Sequence, residues 1–120
     1  LMISKEKVIN LLKTDTKKWN EYRRTHPDEK IDISGANLED EDLRAVILTN
    51  ANLSNVNFSE SNLMAADLRG SNCQNADFTF ANLSYSKINN ADFTNAQFYY
   101  TKLIAADYKG ATGLSFLTIK

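Results

Sequence analysis

At 120 residues, with 14 basic and 15 acidic side chains and a net charge of −1, the chain has the size of one domain. It lacks the clustered basic excess of a nucleic-acid-binding surface, and no apolar run reaches the length of a membrane span. One cysteine, Cys73, leaves no intramolecular disulfide framework.

Charge is uneven along the chain. Residues 1–30 carry eight Lys or Arg against five Asp or Glu, whereas 31–110 carry five against ten. The first block lacks the apolar core of a signal peptide. With the single cysteine, this predicts a soluble, cytoplasmic protein. Two short helices are expected, at 5–13 and 16–25. Val8, Ile9 and Leu12 form an apolar stripe on the first, with Leu11 nearby. On the second, Trp19 and Tyr22 share a face at i, i+3. Asp15 or Thr14 caps it at the start and Pro27 ends it.

From residue 31 the chain repeats with a period of five. Every fifth position from Ile33 is apolar or aromatic: Ile33, Leu38, Leu43, Leu48, Leu53, Phe58, Leu63, Leu68, Cys73, Phe78, Leu83, Ile88, Phe93, Phe98, Leu103 and Tyr108. Two positions earlier the residue is usually Ala or Ser, and Asn or Asp mostly lies between them. The unit is Ala-(Asn/Asp)-(Leu/Phe)-x-x. A period of five suits neither an α-helix at 3.6 nor a strand at 2. It suits a chain that turns every fifth residue and puts one large and one small side chain inside per segment. Four segments close a square coil of twenty residues, and coils stack at roughly 4.8 Å. The sixteen large residues are therefore the predicted core of an all-β solenoid of about four coils. The Asn or Asp favours turns through bonds to nearby backbone, and stacked pairs such as Asn52/Asn72 and Asn62/Asn82 could form ladders between coils.

These repeats resemble the pentapeptide-repeat family. That resemblance implies a right-handed quadrilateral β-helix over 31–110. The segment Trp19-Asn20-Glu21-Tyr22-Arg23, followed by Ile31-Asp32-Ile33-Ser34-Gly35-Ala36-Asn37-Leu38, is similar to the helical segment preceding the repeats in many bacterial members. Residues 1–30 are thus expected to be an N-terminal α-helical cap over the open end of the column. Trp19, Tyr22 and Ile47 are its contact residues, because Ile47 is apolar at a normally polar outward position. Glu41 falls at a small inward position, where an unpaired carboxylate would be costly; a bulge or an Arg44 partner is expected there. After Tyr108 the repeat fades, and 111–120 read as a C-terminal cap or an interface tail.

With twenty residues per coil, i and i+20 stack. Two outward columns then gather Met64, Phe80, Tyr85, Tyr99, Tyr100 and Ile104, expected near one corner and pointing out. Exposed apolar patches mark interaction sites, and Tyr, Phe and Met are enriched at interface cores. The alternatives are that the rings serve coil stacking, or that the tail folds over them. No catalytic constellation appears. His26, the one histidine, has no Cys or carboxylate cluster at ligand spacing, Cys73 holds a core position, and no Gly-rich phosphate loop is present. The expectation is no cofactor, no metal, no enzyme, and no membrane, nucleic-acid or small-molecule partner. The predicted function is a protein-interaction or scaffold module that binds a protein partner or a second copy of itself. By resemblance, the alternative is a DNA mimic: some pentapeptide-repeat proteins bind DNA gyrase through a duplex-like acidic column and protect against quinolones. Here the acidic residues are bunched at Glu39, Asp40, Asp42 and Glu60. Ice binding would want a stacked threonine ladder, but Thr49, Thr79 and Thr94 fall on three different faces.

Overall fold

The computed structural model describes residues 2–114. Two helices come first. In α1 (Lys5–Thr14), Ser4 caps the N-terminus by accepting from the Lys7 N–H at 3.2 Å, and Val8, Leu11 and Leu12 are buried. The buried stripe therefore includes Leu11, while Ile9 is half-buried. Asp15 ends α1 and starts α2 (Thr16–Thr25): its carboxylate accepts from the Lys18 N–H at 3.0 Å. Thr14 instead donates its hydroxyl back to the Asn10 carbonyl. The helix stops at His26, before Pro27, because a residue preceding proline is pushed out of helical geometry.

From Asp32 the chain forms a ladder. Parallel bridges join every fifth residue, polar except at Ile47, to the one twenty positions on, from Asp32↔Asn52 to Asp92↔Thr112. The large inward residue donates upward and its polar predecessor donates downward. Leu53 N–H meets the Asn72 carbonyl at 2.7 Å, and Asn72 N–H meets the Ala51 carbonyl at 2.9 Å. Each bridge is a single residue long, because a turn follows it within two residues. The β-character thus lies in the hydrogen-bond register, and the described residues contain no extended strand.

The turns explain the period. Every fifth residue from 35 to 110 has positive φ, near +60° for the thirteen that are not glycine. With a bond such as Ala36 N–H to Ile33 carbonyl at 3.0 Å closing the turn, this is the type II pattern, in which only the third residue is left-handed. The Asn or Asp before the turn reinforces it. The Asn52, Asn57, Asn62, Asp77 and Asn82 side-chain oxygens each accept from the N–H two residues on, at 2.9–3.1 Å. This local bond uses the oxygen that Asn and Asp share, so either residue serves. Between coils, Asn57 donates to Asn37 at 3.3 Å. The expected ladders at Asn52 and Asn62 give way to the local bond.

Of the sixteen predicted core residues, the thirteen from Ile33 to Phe93 are fully buried. Phe58, Phe78 and Phe98 stack along one inner column at 5.1 and 5.2 Å. Ser61, Ser71 and Ser86 take buried small positions by donating their hydroxyls to carbonyls three residues back. The last coil departs from expectation. Phe98 and Leu103 are half-buried, and Tyr108 is 51% exposed, so it is not core. No described residue stacks above these positions. Phe93, by contrast, is covered by 112–114: its N–H donates to the Thr112 carbonyl at 2.9 Å. Gly113 takes the next large-residue position, where a Cβ would lie 2.4 Å from the Phe93 backbone, and Leu114 is buried. The ladder thus runs through Thr112, and residues 115–120, expected to form the cap or interface tail, lie outside the described residues.

Glu41 forms no bulge. Its carbonyl accepts from Asn62 N–H at 2.9 Å, and the Asp42↔Asn62 bridge keeps the register. Arg44 pairs with Asp42 at 2.7 Å. The Glu41 side chain is half-exposed because its slot sits at the lower rim, in a cleft shared with Leu12, Asp15 and Thr16.

Candidate interaction surface

The surface begins with the turns. Each corner presents two adjacent outward residues, the second left-handed. One corner column carries Glu39, Ser59, Thr79 and Tyr99, with Asp40, Glu60, Phe80 and Tyr100 beside them. The next carries Arg44, Met64, Ser84 and Ile104, with Ala45, Ala65, Tyr85 and Ala105. The six candidate residues all lie exposed, from 37% at Met64 to 80% at Tyr100. They occupy two neighbouring corners and not one, because the side bridged through Asn62, Asn82 and Lys102 separates the two turns. The result is a band with two ridges over the second to fourth coils.

One ridge is built on stacking. The Phe80 and Tyr100 rings lie parallel, with centroids 5.0 Å apart and planes 7° apart, close to the spacing of the coils themselves. The other ridge pairs Met64 and Ile104 across Ser84, which is buried between them one coil from each. Tyr85 stands out beside it, over half exposed, and the described residues give it no ring partner.

The backbone makes these aromatics costly. Phe80, Tyr85 and Tyr100 have φ of 60°, 61° and 55°. The left-handed region costs an ordinary residue roughly 1–2 kcal/mol, which Asn and Gly largely avoid. Asn or Gly does hold this turn position at 35, 50, 55, 70, 75, 90, 95 and 110. Being exposed, the three rings recover little by burial. The Phe80–Tyr100 stack offsets part of the cost, about 0.5–1.5 kcal/mol, but Tyr85 lacks that offset.

Three exposed charges around the band have no ion-pair partner among the described residues. Among the described residues the ion pairs are Arg44–Asp42 and Arg69–Asp67, so Asp40 and Glu60 below the rings are unpaired. So is Lys102, which is exposed on the side between the ridges. Lys102 carries no signal in the sequence, because it stands at a repeat position normally held by Asn or Asp.

At the lower end Trp19 meets the column at Ile47, Tyr22 stays within the cap, and two further residues of α2 reach the first coil. Trp19 is fully buried and donates its indole N–H to the Ile47 carbonyl at 2.8 Å, and Ile47 is half-buried. Tyr22 is half-buried, stacks on His26 at 4.1 Å and donates its hydroxyl to Glu29. Asn20 and Arg23 were not singled out from sequence, yet both are buried against the first coil. Arg23 donates to the carbonyls of His26, Glu29 and Thr49 at 2.7–2.9 Å.

Reactive groups are few. Burial pushes the Cys73 thiol up to about 12, while the Ser71 hydroxyl lies 3.3 Å away. Among the described residues no group of His, Cys, Asp and Glu is placed to hold a metal ion, and no helix is long and apolar enough to cross a membrane.

HetL of Nostoc sp. PCC 7120, described as involved in heterocyst differentiation regulation, is 32% identical at a TM-score of 0.64; the match covers 70% of this chain and 41% of HetL. Rfr23 of Cyanothece 51142 is 34% identical over 67% of this chain and 58% of its own, at a TM-score of 0.40. The chain thus spans less than two thirds of either. The Nostoc protein alr5209 is 28% identical over 80% of this chain and 74% of its own, at a TM-score of 0.47. No curated protein sequence matches. The family described as Pentapeptide repeats matches in eight copies over residues 30–63, 61–98 and 76–111. With the twenty-residue register and the left-handed turn at every fifth residue, the chain belongs to the pentapeptide-repeat family.

Proposed function

We propose that this chain is a non-catalytic protein-interaction module. In this reading a right-handed column of four coils, over 31–110, is closed below by the helical cap of residues 1–30. It displays Met64, Phe80, Tyr85, Tyr99, Tyr100 and Ile104 to a protein partner. The observation that carries it is the placement of three exposed aromatic rings at left-handed turn positions. Neither burial nor backbone preference accounts for them, and residues that break a local rule without structural gain are expected at functional sites. HetL offers a precedent, within the family, for a pentapeptide-repeat protein involved in regulation. The free thiol of Cys73 fits a reducing compartment, and the cytoplasm is the proposed location.

The observations favour this reading over DNA mimicry. A duplex mimic needs a continuous acidic column, whereas Asp42 and Asp67 are each neutralised by a neighbouring arginine. Above Glu60 the same corner becomes aromatic.

The test compares wild type with Tyr100→Arg by light scattering after size exclusion and by capture from extract of the source cells. A charge at the most exposed ring should leave the circular dichroism spectrum unchanged and abolish partner capture or reduce the mass. Unchanged mass and unchanged captured proteins, with the fold intact, would remove the band as the interface.

A further inference from the structure

Resting on the band being an interface, we infer that its occupant is an amphipathic α-helix of a partner protein, carrying Lys or Arg at one end. Three observations narrow the choice. First, on the side between the ridges the N–H groups of Asn82, Leu83 and Lys102 are already spent in the ladder. Asn82 N–H donates to Ser61, Leu83 N–H to Lys102 and Lys102 N–H to Ala81, all at 2.7–3.0 Å. An extended peptide would find none of these free to pair with. A helix satisfies its own backbone and binds through side chains alone.

Second, the Phe80 and Tyr100 rings face each other at 5.0 Å, 7° from parallel. What they present outward is an apolar ridge, which suits the apolar face of a helix. The straight side at 81–83 separates the ridges by about 10 Å at ~3.3 Å per residue. That suits a helix about 10–12 Å across.

Third, the charges are ordered along the band. The corner column reads Asp40, Glu60, Phe80, Tyr100 over three coil steps, about 14 Å. A helix covers that in nine or ten residues, at about 1.5 Å each. The two carboxylates lie at one end of that length, exposed and without ion pairs among the described residues, which calls for cations at one end of the helix. Lys102, exposed between the ridges in the same coil as Tyr100, calls for one carboxylate at the opposite end of it.

The test uses the full chain and three synthetic peptides of roughly fourteen residues, four helical turns. The first has a leucine stripe at i, i+3, i+4 and i+7, three Lys at one end and one Glu at the other. The second replaces the three Lys by Glu, and the third scrambles the leucines. Binding is read by fluorescence anisotropy of the labelled peptide. The first peptide should bind, and the other two should bind at least about ten-fold more weakly. Tyr100→Asn and the double variant Asp40→Lys/Glu60→Lys should each weaken the first peptide by about ten-fold, while Lys109→Ala on another corner should not. Tyr100→Asn suits the left-handed turn, so loss of binding would not be loss of fold. Absence of binding by the first peptide overturns the inference, and so does binding that ignores either the ring or the acidic variants. If the peptide fails while Tyr100→Arg still strips a partner or lowers the mass, the band remains an interface for a different occupant. If Tyr100→Arg also changes nothing, both readings fall together.

Discussion

The side-chain amide of Asn20 takes the place, beneath Ile47, of a backbone that does not exist. In the ladder every coil hydrogen-bonds to the one below, but the first coil has none below it. Asn20 accepts from the Ile47 N–H at 2.9 Å and donates to the Ala45 carbonyl at 3.0 Å. One planar amide thus supplies the donor and acceptor that a peptide unit would have supplied. Trp19 meets the Ile47 carbonyl beside it, and Arg23 meets the Thr49 carbonyl at 2.9 Å. Three side chains of α2 therefore close the exposed rim along 45–49, and Lys5 reaches the Ser34 carbonyl at 2.6 Å. An open sheet edge invites association, and here side chains block it without adding a strand.

Asn20→Ala is expected to leave two part-buried backbone groups, the Ile47 N–H and the Ala45 carbonyl, without a protein partner. An unmet group costs about 1–3 kcal/mol when fully buried; water relieves part of that here, so a loss of roughly 1–3 kcal/mol for the pair should appear in urea unfolding. Asn20→Asp restores the acceptor but not the donor, and should fall between. Glu21→Ala, one residue away and exposed, should be neutral. A neutral Asn20→Ala would mean that the cap does not hold the rim through this amide.

How much of this was legible follows from where the signal lies. The core from Ile33 to Phe93 could be read because period five is imposed on every segment by the turn. The outward position of Phe80, Tyr85 and Tyr100 followed from the same register. Asn20 and Arg23 were hidden because each acts once, against backbone carbonyls that carry no sequence signature. The fate of Glu41 was hidden because the rim position looks, in sequence, like any interior slot. Tyr108 was misplaced for a related reason: the repeat gives a residue's direction but not whether another coil covers it. The split of the aromatic band over two corners required knowing that the turn, and not the bridged side, holds the two outward residues.

Tyr85→Asn tests whether the aromatic corner trades stability for binding. It replaces an exposed ring at φ 61° with a residue that tolerates the left-handed region. A gain of roughly 0.5–1 kcal/mol is expected, read as a higher melting temperature. Phe80→Asn should gain less, because it forfeits the stack on Tyr100. If Tyr85→Asn lost more than about 1 kcal/mol, the ring would be serving the fold, and the argument for an interface would lose its main support.

Cys73 should report on opening of the column. Its side chain is fully buried in the third coil, and burial holds the thiol near 12. The thiolate is the reactive form, so a thiol reagent at neutral pH should leave the native protein unlabelled. Labelling should appear in urea along the same curve as the loss of circular dichroism. Rapid labelling in native buffer would show that the coil around Cys73 opens locally, well below global unfolding.

Glu29 should make the cap acid-sensitive in a way one substitution isolates. Its carboxylate accepts from the Tyr22 hydroxyl and from the Ile3 N–H at 2.8 Å, and these bonds hold its pKa below the usual carboxylate value. A group depressed in the folded state contributes stability above its unfolded pKa, about 4.3, and that contribution is lost as pH falls through the folded value. Other carboxylates are held low as well: Asp32 by the Ser34 N–H, Asp42 by the Arg44 side chain and Asp92 by the Thr94 hydroxyl. Wild type will therefore weaken in acid regardless, and the informative quantity is its difference from Glu29→Gln. At pH 7 the variant should be the less stable, read by Trp19 fluorescence in urea. As pH falls below about 4.3, where the unfolded chain begins to protonate Glu29, the two should start to converge, and they should meet below the depressed folded value, where wild-type Glu29 is neutral too. A difference that stays constant from pH 7 to acid would assign the effect of the substitution to shape and not to the charge of the carboxylate.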